Sequence, residues 1–181
     1  MRLILKPVGS VDDKVLLFLA IQLKKIFPGT SVRISDAISL PISAYNPKRG
    51  QYRSSLILEE VLSNLKPGEG DRILGVADVD AYSGSLNFVF GEAYVNGKAA
   101  IIYLERLKPE FYGMSPKEEL FLERVLKEAV HEIGHTLGLS HCKNPRCVMH
   151  FSNSILDTDF KDYNFCDRCK KLVEEALRKF K

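Results

Sequence analysis

The sequence predicts an α+β domain, α/β-like in its first part: a twisted, mixed five-stranded sheet covered by helices. Two observations predict it. Over the first hundred residues, strand-length apolar runs alternate with segments of helical periodicity. An Asn96-Gly97 dipeptide then joins two further strand candidates, a strong hairpin signal. The chain has 181 residues, of which 45% are hydrophobic, which suits one domain with its own core. A net charge of +3 gives no reason to expect a nucleic-acid partner. No apolar run reaches the roughly 18 residues of a membrane span. The start, MRLILKPVGS, lacks the roughly 7–15-residue apolar stretch of a secretory signal. A cytoplasmic protein is expected, and in a reducing compartment its four cysteines suit a metal better than disulfides.

The elements follow in order. Arg2 to Lys6 reads as the first strand, ended by Pro7 and Gly9. Val11 to Phe27 is a helix, with Asp12 and Asp13 at its start and Lys24 and Lys25 near its end, as the dipole favours. Ser31 to Ile34 is the second strand. Residues 36–53, with Pro41, Pro47 and Gly50, form a looser stretch. Ser54 or Ser55 caps a helix over Leu56 to Leu65. Arg72 to Val79, Leu86 to Val95 and Lys98 to Glu105 are the remaining strands, the last two forming the hairpin. By its order in the chain, the stretch from Asn87 to Val95 is the candidate sheet edge, where an extended ligand would pair.

A long helix starts with Ser115 as cap, Pro116 in the first turn and Glu118 closing a capping box. Leu122, Val125, Leu126, Ala129, Ile133 and Leu137 share one face, and Gly138 stops the helix. Its last turns read HEIGHTLGLSH. His131 and His135, four apart, project from one side and can take adjacent corners of a tetrahedral zinc. Gly138 lets the backbone turn so that His141 folds back as a third ligand. Three protein ligands leave the fourth corner open for water, the mark of a catalytic site. Five fixed positions arise by accident in one chain of this length with a probability on the order of 10⁻⁵.

Cys142-x4-Cys147 and Cys166-x2-Cys169 form two short-spaced pairs. Four thiolates would close a second zinc with no open corner, a structural site ordering residues 142–169; two disulfides or inert thiols are the alternatives. Beyond them Leu172, Val173, Ala176 and Leu177 mark a short amphipathic helix.

The full HExxHxxGxxH pattern resembles the metzincin zinc peptidases. With Cys142, Cys147, Met149, Cys166 and Cys169 behind it, the chain is similar to the archaemetzincin family. The motif match covers residues 131–169, and the order of the preceding strands and helices fits a metzincin catalytic domain. The resemblance implies an upper catalytic subdomain over residues 1–138 and a lower one over 139–181. It also implies two zinc ions per chain, one catalytic and one structural. Met149 would form an apolar floor in a turn below the metal. Some relatives carry a tyrosine two residues after that methionine; Phe151 stands there, so no tyrosine ligand is available.

The expected activity is peptide hydrolysis. Zinc lowers the pKa of its water from 15.7 to about 7, and Glu132 serves as general base. The expected partner is a peptide or protein substrate, with neither nucleic acid nor membrane; a monomer is expected. With all four cysteines committed and little chain before the first strand, no latent form is expected. His150, the remaining histidine, is assigned to the surface. Endopeptidase and aminopeptidase remain open. The alternative is an inactive, zinc-stabilised binding module for protein or nucleic acid, against which the retained Glu132 argues, since a structural site has no use for it.

Overall fold

The structure, a computed structural model, describes residues 1–180. Its elements in chain order are β1 (Arg2–Val8), α1 (Asp13–Ile26), β2 (Ser31–Ile34), β3 (Tyr45–Asn46), β4 (Gln51–Arg53), α2 (Ser54–Ser63), β5 (Arg72–Ala77), β6 (Ala81–Tyr82), β7 (Gly91–Ala93), β8 (Ala99–Tyr103), α3 (Glu118–Thr136), α4 (Ile155–Phe160) and α5 (Asp167–Leu177). Five strands form the main sheet in the order β2-β1-β5-β8-β7. The first four are parallel; β7 runs antiparallel to β8 at the edge.

Parallel neighbours need long crossovers, and α1 and α2 lie in the connections that precede β2 and β5. Both faces of the sheet are therefore covered. Leu3, Leu5, Leu74, Val76, Ala100 and Ile102 pack toward α1 and α3. Ile4, Ile73, Ala77, Ala99, Ile101 and Tyr103 pack toward Ile57, Leu58 and Val61 of α2. The central strands read as continuous apolar runs for that reason. No helix among the described residues is long and apolar enough to cross a membrane.

Five local readings are corrected. β1 runs through Pro7 to Val8. The carbonyls of Met1 and Leu5 face β2, so Pro7 faces the same side, where β2 has ended and its missing N–H leaves no gap in the ladder. Ser54 does not cap α2. Its buried hydroxyl accepts from Tyr103 Oη at 2.8 Å instead, and Arg53 precedes the helix without a side-chain cap. The strand read over 86–95 keeps only Gly91–Ala93. Residues before it leave the ladder, with the Val89 N–H donating to Ala81 O. The hairpin connection spans residues 95–98 rather than two, since Tyr94 N–H bonds Ala99 O. Finally, α3 starts at Glu118 behind an extended Lys117, and the Ser115–Glu118 capping box does not form. Residues 114–117 are exposed, with no core contact to hold a helical turn.

Three elements lie where the sequence shows no periodicity. The stretch 36–53 contributes β3 and β4 to a small sheet ordered β3-β4-β6. Residues 155–160 form α4, started by a reciprocal Ser154–Asp157 capping box.

Candidate active site and metal centres

The helix α3 ends in the hydrogen-bond pattern that a left-handed terminal residue permits. Gly138 has φ +93°, its N–H donates to His135 O, and the Leu139 N–H donates to Gly134 O. This bend reverses the chain and returns His141 to the face carrying His131 and His135. The ligating nitrogens of the three histidines all lie within 4.8 Å of one another.

Their tautomers follow from their partners. His131 Nδ1 lies 2.7 Å from Val148 O, and His135 Nδ1 lies 2.7 Å from Leu139 O. A carbonyl only accepts, so both Nδ1 atoms carry the proton and both Nε2 atoms present bare lone pairs. Those two Nε2 atoms face each other at 3.0 Å. Two lone pairs at that distance repel unless a cation lies between them. Tetrahedral ligands about 2.0–2.1 Å from zinc stand roughly 3.3 Å apart, so the residues fit the ion with a small adjustment. Burial, with the positive charge of Lys161 second, holds His131 well below the usual imidazole range, keeping it in the neutral form a metal needs.

Glu132 points into the cleft beside this cluster. Burial, reinforced by the charge of Glu128, pushes its carboxyl well above the usual range. Gly91 of β7 makes the space for it: a Cβ there would lie 2.6 Å from Glu132 Cγ. The cleft has a volume of about 430 Å³ and runs between the edge strand, α3 and the segment 151–153. The candidate edge read from the sequence, residues 87–95, supplies most of one wall.

Met149 is fully buried against Gly134, on the turn of α3 between the two histidines. A Cβ at Gly134 would lie 2.4 Å from Met149 Sδ. Gly134→Ala is therefore expected to cost about 1–3 kcal/mol through overpacking, read by thermal denaturation. In the Met149→Ala background, which itself costs about 2–5 kcal/mol, Gly134→Ala should cost little more; additive losses would show that the contact is not the cause. Phe151 packs against His141 in a tilted arrangement, ring centroids 4.9 Å apart, and offers no oxygen. His150 is half-buried, its Nδ1 2.9 Å from Cys142 O, and does not line the cleft.

The four cysteines are free thiols whose sulfurs lie within 4.8 Å of one another. Cys142 Sγ and Cys166 Sγ are 3.8 Å apart, the edge expected of a tetrahedron with metal–sulfur bonds of about 2.3 Å. Burial raises the Cys147 and Cys169 thiols. Burial also acts on Cys166, but hydrogen bonds from the Cys169 N–H and the neighbouring thiols outweigh it and leave Cys166 lowered.

Sequence reasoning missed Glu128, which lines the cleft, and Lys161, paired with it at 3.0 Å. Glu128 was detectable as a fourth polar side chain, with His131, Glu132 and His135, on the histidine face of the helix. Lys161 was not, because the partners are 33 residues apart.

A mixed sheet with an antiparallel edge strand, facing histidines at the end of one helix across a cleft, defines a zinc metallopeptidase. The profile of peptidase family M54 matches residues 6–175. The archaemetzincin of Methanocaldococcus jannaschii is 49% identical over 97% of this chain and 94% of its own. That of Pyrococcus furiosus is 42% identical over 97% and 93%. The crystal structure of archaemetzincin from Methanopyrus kandleri superposes with a TM-score of 0.87 at 37% identity, covering 98% of this chain and 96% of that one. The chain belongs to peptidase family M54, the archaemetzincins.

Proposed function

We propose that this chain hydrolyses peptide bonds at a zinc held by His131, His135 and His141, with Glu132 as general base. The observation that carries this reading is the pair of Nε2 lone pairs 3.0 Å apart, fixed by two Nδ1–carbonyl bonds, with Glu132 beside them. When bound, zinc supplies a water of lowered pKa and polarises the scissile carbonyl. Glu132 takes the proton of that water on its carboxylate and later returns it to the leaving amine. Met149 holds the histidine turn from below. The substrate lies extended along the open edge of β7, backbone to backbone. Residues 1–138 supply the upper wall of the cleft and the described residues 139–180 its lower wall. Cys142, Cys147, Cys166 and Cys169 hold a second, structural zinc, and their free thiols suit the reducing cytoplasm.

Glu132→Ala tests the assignment. It is expected to retain two zinc ions per chain by elemental analysis. Loss of a general base should reduce peptide hydrolysis by about 10²–10⁴-fold. A metal-replete wild-type protein that cleaves no member of a broad peptide library would overturn the reading.

A further inference from the structure

We propose that Glu128 is a specificity-determining residue whose free carboxylate oxygen receives a cationic nitrogen of the substrate beside the scissile bond. The inference rests on the peptidase reading but concerns a side chain that reading does not use. Glu128 precedes His131 by three residues and Glu132 by four, so all three leave one face of α3. It borders the same cleft. One helical turn, about 5.4 Å along the axis, separates it from Glu132. An extended chain advances about 3.3 Å per residue, so the group above Glu128 belongs to a residue at or next to the bond being cut.

The side chain is only 4% exposed. Its Oε1 accepts from Lys161 Nζ at 3.0 Å and from Thr158 Oγ1 at 3.1 Å. Its Oε2 takes part in none of these bonds and is left for the cleft. Lys161 is fully buried, also bonds His150 O at 3.4 Å, and does not line the cleft. A ligand entering the cleft therefore meets the carboxylate and not the ammonium behind it. Ser152 stands on the wall of the same cleft, and its buried Oγ has no partner. Phe88 and Phe90 line the cleft with apolar rings, suited to the methylene stem of a long basic side chain. An aliphatic group would leave two polar atoms desolvated without partners, and a carboxylate would meet like charge. A positively charged nitrogen donor satisfies both. It has two possible sources, a Lys or Arg side chain or the free α-amine of the substrate.

The test uses metal-replete Glu132→Gln protein and three peptides dye-labelled at the C-terminus, followed by fluorescence anisotropy. One peptide is N-acetylated with a central Lys; one is N-acetylated with Met in its place; the third is the Met peptide with a free amine. The Lys or the free-amine peptide is expected to bind about tenfold or more tightly than the acetylated Met peptide, and the arm that gains identifies the source. Adding Glu128→Gln should bring the preference within about twofold. The Gln oxygen can still accept from Thr158 and Lys161, and Glu128→Gln/Lys161→Met replaces it where the first variant fails to fold. Equal binding, no binding, or a preference that survives the loss of Glu128 overturns the proposal. A Glu128-dependent binding preference in a protein that hydrolyses nothing would sustain it and sink the hydrolytic reading instead.

Discussion

Cys169→Ser is expected to lower the zinc content from the proposed two ions per chain to one and to melt the segment from 142 to 169. Cys169 is buried in the first turn of α5, the helix whose Val173 and Leu177 join the main core. The segment it closes holds little regular structure beyond the short α4. Backbone bonds such as Cys142 N–H to Met149 O and Val148 N–H to Asn164 O lie within it, and its outward ties are the pairs of Asp159 and Lys161 with α3 and a few buried side chains such as Val148 and Met149. Structural zinc in small domains contributes about 10–16 kcal/mol of binding free energy that is in effect folding free energy. A share of it here should appear as a fall in Tm of about 10 °C or more. The effect also reaches the histidines, because Val148 O orients His131 and Met149 packs under the turn between His131 and His135. Hydrolysis should therefore fall together with the metal count. Limited proteolysis should cut first between 142 and 169, while the circular dichroism of α1, α2 and the sheet persists. An unchanged Tm with one zinc missing would show that the cysteines are not what orders the segment.

Lys161→Met is expected to be the most damaging single substitution that touches no proposed metal ligand. Its ammonium is fully buried 3.0 Å from Glu128 Oε1, which is itself nearly inaccessible. Breaking a buried pair by removing one partner leaves an uncompensated charge and costs about 3–5 kcal/mol. At about 2–4 °C per kcal/mol for a chain of this size, Tm should fall by roughly 10 °C. Glu128→Gln/Lys161→Met should recover most of the loss, since no charge is then stranded and Thr158 keeps its acceptor. The pair does not stand alone. Arg124, also buried, bonds Asp159 through Nε and one terminal nitrogen, both at 2.7 Å, and Lys127 Nζ lies 3.2 Å from Asp159 O. One face of α3 is thereby tied to residues 158–161, which fixes the helix against the lower wall of the cleft. A single variant that melts with the wild type would show that this tie is carried by Arg124 and Asp159 alone.

The sequence makes some features plain because they repeat locally. The apolar face of α3, from Leu122 to Leu137, has a period that only a helix satisfies. His131 and His135 on that helix, with Gly138 behind them, fix two directions and a bend. The alternation of strands and helices is readable for the same reason, and four of the five main-sheet strands stand where apolar runs place them to within a few residues, while the run over 86–95 keeps only Gly91–Ala93. The two-residue strands Tyr45–Asn46 and Ala81–Tyr82 carry no period at all. Ala81–Tyr82 exists because Tyr52–Arg53, distant in the chain, pairs with it, whereas Tyr45–Asn46 pairs with Gln51–Tyr52 across a short local turn. Ser54 looks like a cap until Tyr103, 49 residues away, takes its hydroxyl. The start of α3 fails in the opposite sense: Ser115, Pro116 and Glu118 form a sound local signal, but no packing partner is present to reward it.

By itself, then, the chain determines its elements, the five-residue pattern that recruits an ion, and the paired cysteines. Each of these is a relation between residues close enough in sequence to be coupled by backbone geometry. Only the tertiary structure decides that the edge strand faces Glu132 across the cleft, that Gly91 and Gly134 clear room for a carboxylate and a thioether, and that Glu128 is backed by Lys161 with one oxygen left toward the cleft. Those outcomes depend on contacts between segments tens of residues apart. Their free energy is gained only once the sheet and α3 have assembled around a shared core.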